Sequence, residues 1–382
     1  MLFPTAHTFA ELADVDRNPS FSPMLFAAKN GQLEMVHWLV EQAGLDTKDH
    51  LTKALGGASM CGSLQLLDYL VSRSVDLDGE FMSETNHHGS RPAVSALRTS
   101  SELGHLQFVQ AMIAHGASVN LHTGQNHLLW PLAGYKEIEC NALAASVRGG
   151  QVQVCEFLLS AGADVCICEH YPLHLAAYLG HQKILRMLLD VPGMSVEDVR
   201  NKETLLETAC IGRRPDIIGV LRQRGASVTP GALILAIAKA KHNLFTALLG
   251  DDSVPAFHMR ELYASPRWPA SNLPSKTTPL ASAVEMSHWP AFWELAQRRG
   301  ADLAIEGYDT LATALWRCQP GCILNDREEL LRVLEFLLAA GLDLGGGTKA
   351  VRINWDDRVP VALLPTADLP HDLSARIHAA FK

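Results

Sequence analysis

The chain has 382 residues, with 32 Lys plus Arg against 41 Asp plus Glu and a formal charge of −9. Hydrophobic residues make up 48% and charged residues only 19%, too apolar a composition for a disordered chain and a surface that must be polar without many charges. With no block of Lys or Arg and no run of about 18 apolar residues, the sequence argues against nucleic-acid binding and gives no membrane span.

The first twenty residues, MLFPTAHTFAELADVDRNPS, lack a basic start followed by an apolar core, so no secretory signal is expected. Eight cysteines scattered over a long chain do not suit a small disulfide scaffold, and reduced thiols in a cytoplasmic setting are the expectation. The acidic FAELADVD segment makes residues 1–20 an N-terminal cap.

From Ser22 the chain reads SPMLFAAKNGQLEMVHWLVEQAGLD. The shared skeleton is an apolar helix with paired small residues, a break, a second apolar helix, then Gly-Ala-Asp, which is Gly-Leu-Asp in this first copy. It returns at Asn141 (NALAASVRGGQVQVCEFLLSAGADV), Tyr171 (YPLHLAAYLGHQKILRMLLD) and Thr278 (TPLASAVEMSHWPAFWELAQRRGADL). Weaker copies start near Lys53, Ser95, Thr204, Gly231 and Asp309. Pro172 and Pro279 suit a first helical turn, where a missing N–H costs nothing. Ala27–Ala28, Ala144–Ala145 and Ala176–Ala177 let neighbouring helices approach closely. Leu39, Leu158, Leu188 and Leu337 belong to the apolar face of the second helix. Gly44, Gly116, Gly162, Gly225, Gly300 and Gly341 follow second helices, where a left-handed cap favours glycine.

These copies resemble the ankyrin repeat, whose signature is T-P-L-H-x-A over about 33 residues. The resemblance implies an all-α solenoid of about nine helix-turn-helix repeats across residues 21–345, in one continuous array. A repeat that cannot bury its own apolar face is stabilised by its neighbours. His174 falls on the family's histidine position and is read as structural. The resemblance also places variable contact residues just after the small pair of each first helix. These are Lys29 and Asn30, Glu102 and Leu103, Arg148 and Gly149, Tyr178 and Leu179, and Glu285 and Met286.

Insertions interrupt the repeat near 77–92, 120–138, 250–276 and 318–326. The first three fall between a second helix and the next first helix, where the family forms a finger beside a concave groove. The first carries His87, His88 and Arg91. The second carries His122, His127, Trp130 and Tyr135, and the third carries His258, Arg260, Tyr263, Arg267 and Trp268. Aromatic and arginine side chains are enriched at interface hot spots. Packing is the competing reading: Trp130, with Leu128 and Leu129, tucks the loop onto its own repeats just as well, and His87–His88 suits a solvated turn. Trp289 and Trp293 lie in the eighth repeat's helices and read as core. Residues 346–382 lose the pattern after three consecutive glycines and read as a C-terminal capping segment, closed by a short helix from Asp372 to Phe381.

Cys166-x-Cys168-x-His170 does not have the spacing of a structural zinc pair, and Cys318-x₃-Cys322 has no second pair nearby, so neither metal nor cofactor is expected. Phosphate-loop, nucleophile-elbow and H-E-x-x-H motifs are absent from the sequence. The leading expectation is a monomeric recognition scaffold rather than an enzyme. Its protein partner would meet His87, His88, Arg91, Glu102, His122, His127, Trp130, Tyr135, Arg148, Tyr178, Arg267 and Trp268. The alternative is an isomerase or cyclase acting on a small apolar ligand, with His127 and Tyr135 as acid–base groups. The low charge fraction suits an apolar ligand better than a strongly electrostatic interface.

Overall fold

The computed structural model describes residues 22–82, 93–121, 123–126, 138–200, 203–238, 242–250, 278–298, 327–339, 350–352 and 358–360, with the single positions 310, 314, 372 and 375. The chain divides into two compact units, residues 1–201 and 202–382.

The first unit contains five described helix pairs. They are α1 Pro23–Lys29 and α2 Leu33–Glu41, α3 Lys48–Cys61 and α4 Leu64–Ser72, and α5 Ala96–Leu103 and α6 Leu106–Ala114. α7 Ala142–Arg148 and α8 Val152–Ser160, then α9 Ile167–Leu179 and α10 Gln182–Leu189, complete them. Most are two to three turns long, too short to persist alone. They are stabilised by stacking: each first helix packs on the first helices before and after it, and the second helices line up behind them from α4 onward. A helix packed on two sides is apolar nearly all round. In α7 every residue from Ala142 to Val147 is buried.

Side-chain caps fix where the first helices start. Ser22, Thr47, Ser95 and Asn141 each accept a backbone N–H from the first turn, which satisfies a donor the helix leaves open. Pro172 lies inside α9 rather than at its recorded start. The left-handed backbone of His170, φ 56°, breaks α9 just before it, so Pro172 still sits in the first turn of the segment that packs. After second helices, Gly44, Gly116 and Gly162 have positive φ, and Ser74 holds that place at 58°. Gly300 and Gly341 lie outside the described residues.

Two insertions rise from hairpin feet. β1 Glu80–Met82 pairs antiparallel with β2 Ala93–Ser95, in the register Phe81 to Val94. β3 Thr123–Asn126 pairs with β4 Ile138–Cys140, and β2 lies against β3. The loops are laced together across repeats. Ser118 donates its N–H and hydroxyl to Asp78. Asn120 donates to Gly162 O at 3.1 Å and accepts from Asp164 N at 2.8 Å.

The second unit contains α11 Leu205–Ile211 with α12 Pro215–Gln223, α13 Pro230–Ala238 with α14 His242–Leu249, and α15 Pro279–Glu285 with α16 Trp289–Trp293. A π-helical turn, Glu294–Arg298, continues α16, and α17 Arg327–Ala339 follows. Again first helices pack on first helices. Trp289 and Trp293 are half-buried. Trp293 stands edge-on to Phe292 and Phe336, and its Nε1 donates to Glu329 at 3.4 Å, so it serves the packing of α16 on α17. Further on, β5 Ala350–Arg352 pairs with β6 Arg358–Pro360, in the stretch read as a capping segment. Of the closing helix expected at 372–381, only 372 and 375 are described, both helical. Residues 1–20 lie outside the described residues. The fold is an all-α repeat solenoid, with the described strands confined to short hairpin feet and the connection at 199–204.

Candidate functional site

The carboxyl ends of the first helices form a ladder, because each helix stops at the same point of its repeat. Met60–Cys61, Glu102–Leu103, Arg148–Gly149 and Tyr178–Leu179 occupy equivalent places at the ends of α3, α5, α7 and α9, with Lys29–Asn30 at the end of α1. After the α5, α7 and α9 rungs, the residue following the turn glycine reaches back to the preceding repeat. His105 Nε2 lies 3.1 Å from Met60 O and its ring covers Gly62. Gln151 Nε2 donates to Glu102 O at 3.2 Å and covers Gly104, and His181 covers Gly150. Sequence reading missed these three, although Gly-His and Gly-Gln pairs at a constant offset were the available signal.

Of the twelve residues picked from sequence as contacts, Glu102, Arg148 and Tyr178 are described, and the structure joins two of them. The Arg148 guanidinium pairs with the Glu102 carboxylate across adjacent repeats. Their side chains are 18% and 37% exposed. Gly149 makes the close approach possible, because a Cβ there would run into the Glu102 carbonyl. Leu103 stands beside the pair and is 50% exposed. Tyr178 and Leu179, on the next rung, are half-buried. In the second unit Glu285 and Met286 hold the corresponding place and are half-buried. His87, His88, Arg91, His122, His127, Trp130, Tyr135, Arg267 and Trp268 lie outside the described residues, as do the acid–base candidates His127 and Tyr135 among them.

A second polar cluster lies at the end of the first unit. His170 Nδ1 is 2.8 Å from Asp198 Oδ1, and His174 Nε2 is 3.4 Å from Asp198 Oδ2. Burial pushes the Asp198 carboxyl up, but the two imidazoles outweigh it and hold it below the usual carboxylate range. His174 is 2% exposed, in keeping with a structural role. The carboxylate that ties it to the loop, 24 residues downstream, has no sequence signature.

Buried thiols offer no nucleophile here. Cys155 is pushed up to about 11 by burial, against a 3.0 Å contact with Ser146 Oγ, and burial also raises Cys210 well above its ordinary value. Such thiols stay protonated at neutral pH. Cys61, Cys155, Cys166 and Cys210 are free.

Residues 142–232 match the family model for ankyrin repeats in three copies. The chain is 28% identical over 143 residues to the ankyrin repeat and KH domain-containing protein mask-1 of Caenorhabditis elegans, covering 37% of this chain and 5% of that protein. It is 28% identical over 148 residues to the Arf-GAP with coiled-coil, ANK repeat and PH domain-containing protein 2 of Gallus gallus, covering 37% of this chain and 16% of that protein. The chain thus spans a small fraction of the relatives it matches. A crystal structure of the human ASB11 ankyrin repeat domain aligns with a TM-score of 0.40 and 24% identity, over 51% of this chain and 81% of that one. The match over residues 142–232 identifies that stretch as similar to ankyrin repeats, and the described helix pairs on either side repeat its pattern.

Proposed function

We propose that the chain is a recognition scaffold. It takes a partner protein along the helix-end ladder of its first unit and against the inserted fingers. Ankyrin repeats generally mediate protein–protein interaction, and stacked repeats present extended surfaces suited to it. The observation that carries the reading is Leu103: a large apolar side chain, half exposed, at a rung where the fold itself has no use for it. A half-exposed leucine at this place gives a partner apolar area to bury. The fingers add His87, His88, Arg91, His122, His127, Trp130, Tyr135, Arg267 and Trp268 as partner contacts.

A photo-crosslinking residue placed at Leu103 in the full chain tests this. It should form adducts with a cellular protein, while the same residue at Gln110, exposed on the second helix α6, should not. Adducts at Gln110 equal to those at Leu103 would overturn the reading. Alanine at Trp130, Tyr135 and Trp268 should weaken the same capture while leaving the helical melt nearly unchanged.

A further inference from the structure

We propose that residues 8–15 of this chain dock, as one helix, on the outer face of its first repeat, over Phe26 and Met35. This stands apart from the scaffold reading above. The first repeat is built like an interior one. Phe26, the fifth residue of its signature, is 59% exposed. The fifth residue of each later repeat as far as Ser282 is buried, save Thr99, which is half-buried. Gly57 shows what lies on that side. A Cβ there would run into Ala28 Cβ and the backbone of Leu25 and Lys29, so the fifth residue faces the preceding first helix. The second helix has the same shortfall. Met35 is half-buried, while its counterparts Leu66, Phe108, Val154 and on to Ala291 are buried. The end of a repeat array carries a polar outer face. Phenylalanine and methionine at these two places belong instead to a face with a neighbour.

The occupant is written just ahead of Ser22, in residues outside those described. Thr8-Phe9-Ala10-Glu11 repeats the T-x-x-E of Thr204 to Glu207, which forms a capping box at the start of the first helix α11. The helix so started sets Phe9, Leu12 and Ala13 at i, i+3 and i+4, on one apolar stripe. Glu11 and Asp14 fall off the stripe and supply the polar outer face that an end repeat needs. The chain length allows it. A two-turn helix is about 10 Å long and a packed neighbour lies roughly 8–10 Å away. The chain must therefore return about 15 Å, and Asp16 to Phe21 cover about 20 Å when extended. The segment is thus half a repeat: a first helix without its second.

Benzoylphenylalanine in place of Phe26 in the full chain reads this directly. Irradiation in dilute solution should give adducts to residues 8–15 of the same chain, located by peptide mass. Adducts between two copies, adducts to any other segment, or none would overturn the inference and leave the scaffold reading standing. Hydrogen exchange gives a second readout on otherwise unmodified chain. Leu12→Asp should speed exchange of the α1 amides at least tenfold, on the order of one lost buried leucine. Asp14→Asn, off the stripe, should change it less than about twofold, as a surface substitution does. No effect of Leu12→Asp, or an equal effect of Asp14→Asn, would also overturn it.

Discussion

At the scale of single residues, the sharpest contrast lies between two glycines that sit side by side. Gly150 has φ 68° and closes the turn after a first helix, as Gly31, Gly62, Gly104 and Gly180 do in theirs. Gly149 has an ordinary helical backbone and is required instead by the Glu102 carbonyl pressed against it. The sequence shows both only as glycine. The turn was legible as part of the repeat signature. The close approach was not, because it joins residues of different repeats. In the second unit Arg213 and Ser287 hold the turn position at φ 59° and 53°, where a Cβ crowds its own carbonyl. Arg213→Gly should therefore raise stability by about 0.5–1 kcal/mol, the relief of that strain less the added chain entropy. Gly149→Ala should lower it by about 1–3 kcal/mol through overpacking. Urea midpoints measure both. A destabilised Arg213→Gly would mean that the guanidinium contributes more than the strain costs.

At the scale of elements, the fingers are held by what lies beneath them. Phe81 of β1 is buried, with its ring directly over Gly56 of α3. In the second to eighth repeats the fourth residue of the repeat signature is buried whatever its chemistry: Gly56, Arg98, Ala144, His174, Glu207, Ile234 and Ala281. Gly56 leaves the room that the ring fills, so the first finger is plugged into the second repeat. Phe81→Ala should cost about 3 kcal/mol, as other buried phenylalanines do. It should release the amides of β1 and β2 to hydrogen exchange before those of α3. Unchanged protection in the two strands would show that the hairpin stands without its plug. The insertion was visible in the sequence as extra length. Its hairpin foot was not, because EFM and AVS are three residues each, too short for an alternating pattern to register. The Glu102–Arg148 pair shows the same limit. The resemblance placed both residues on contact positions, but their pairing spans 46 residues and exists only once the repeats stack.

At the scale of the whole molecule, two carboxyls, Asp198 half-buried and Glu207 buried, give its units opposite responses to acid. Asp198, in the first unit, is held below 3.8 by His174 and His170. Its folded form prefers the carboxylate, so its contribution is full above the unfolded value and is lost as pH falls through the lowered one. Glu207, in the second unit, accepts the Thr204 N–H at 2.9 Å and the Thr229 hydroxyl at 2.7 Å. Burial raises it above 4.5 despite these bonds. Its folded form prefers the proton, so its contribution is full below the unfolded value and is lost as pH rises through the raised one. In a repeat array stability is local, so the two responses should be separable along the chain. Hydrogen exchange of α9 and α11, corrected for the intrinsic rate, should lose protection at opposite ends of a series from about pH 3 to about pH 7. Asp198→Asn should flatten the acid limb in α9 alone. Glu207→Gln keeps an acceptor for Thr204 and can donate to Thr229, and should flatten the rising-pH limb in α11 alone. If either substitution flattens both limbs, the two units do not respond independently and local titration is not the cause.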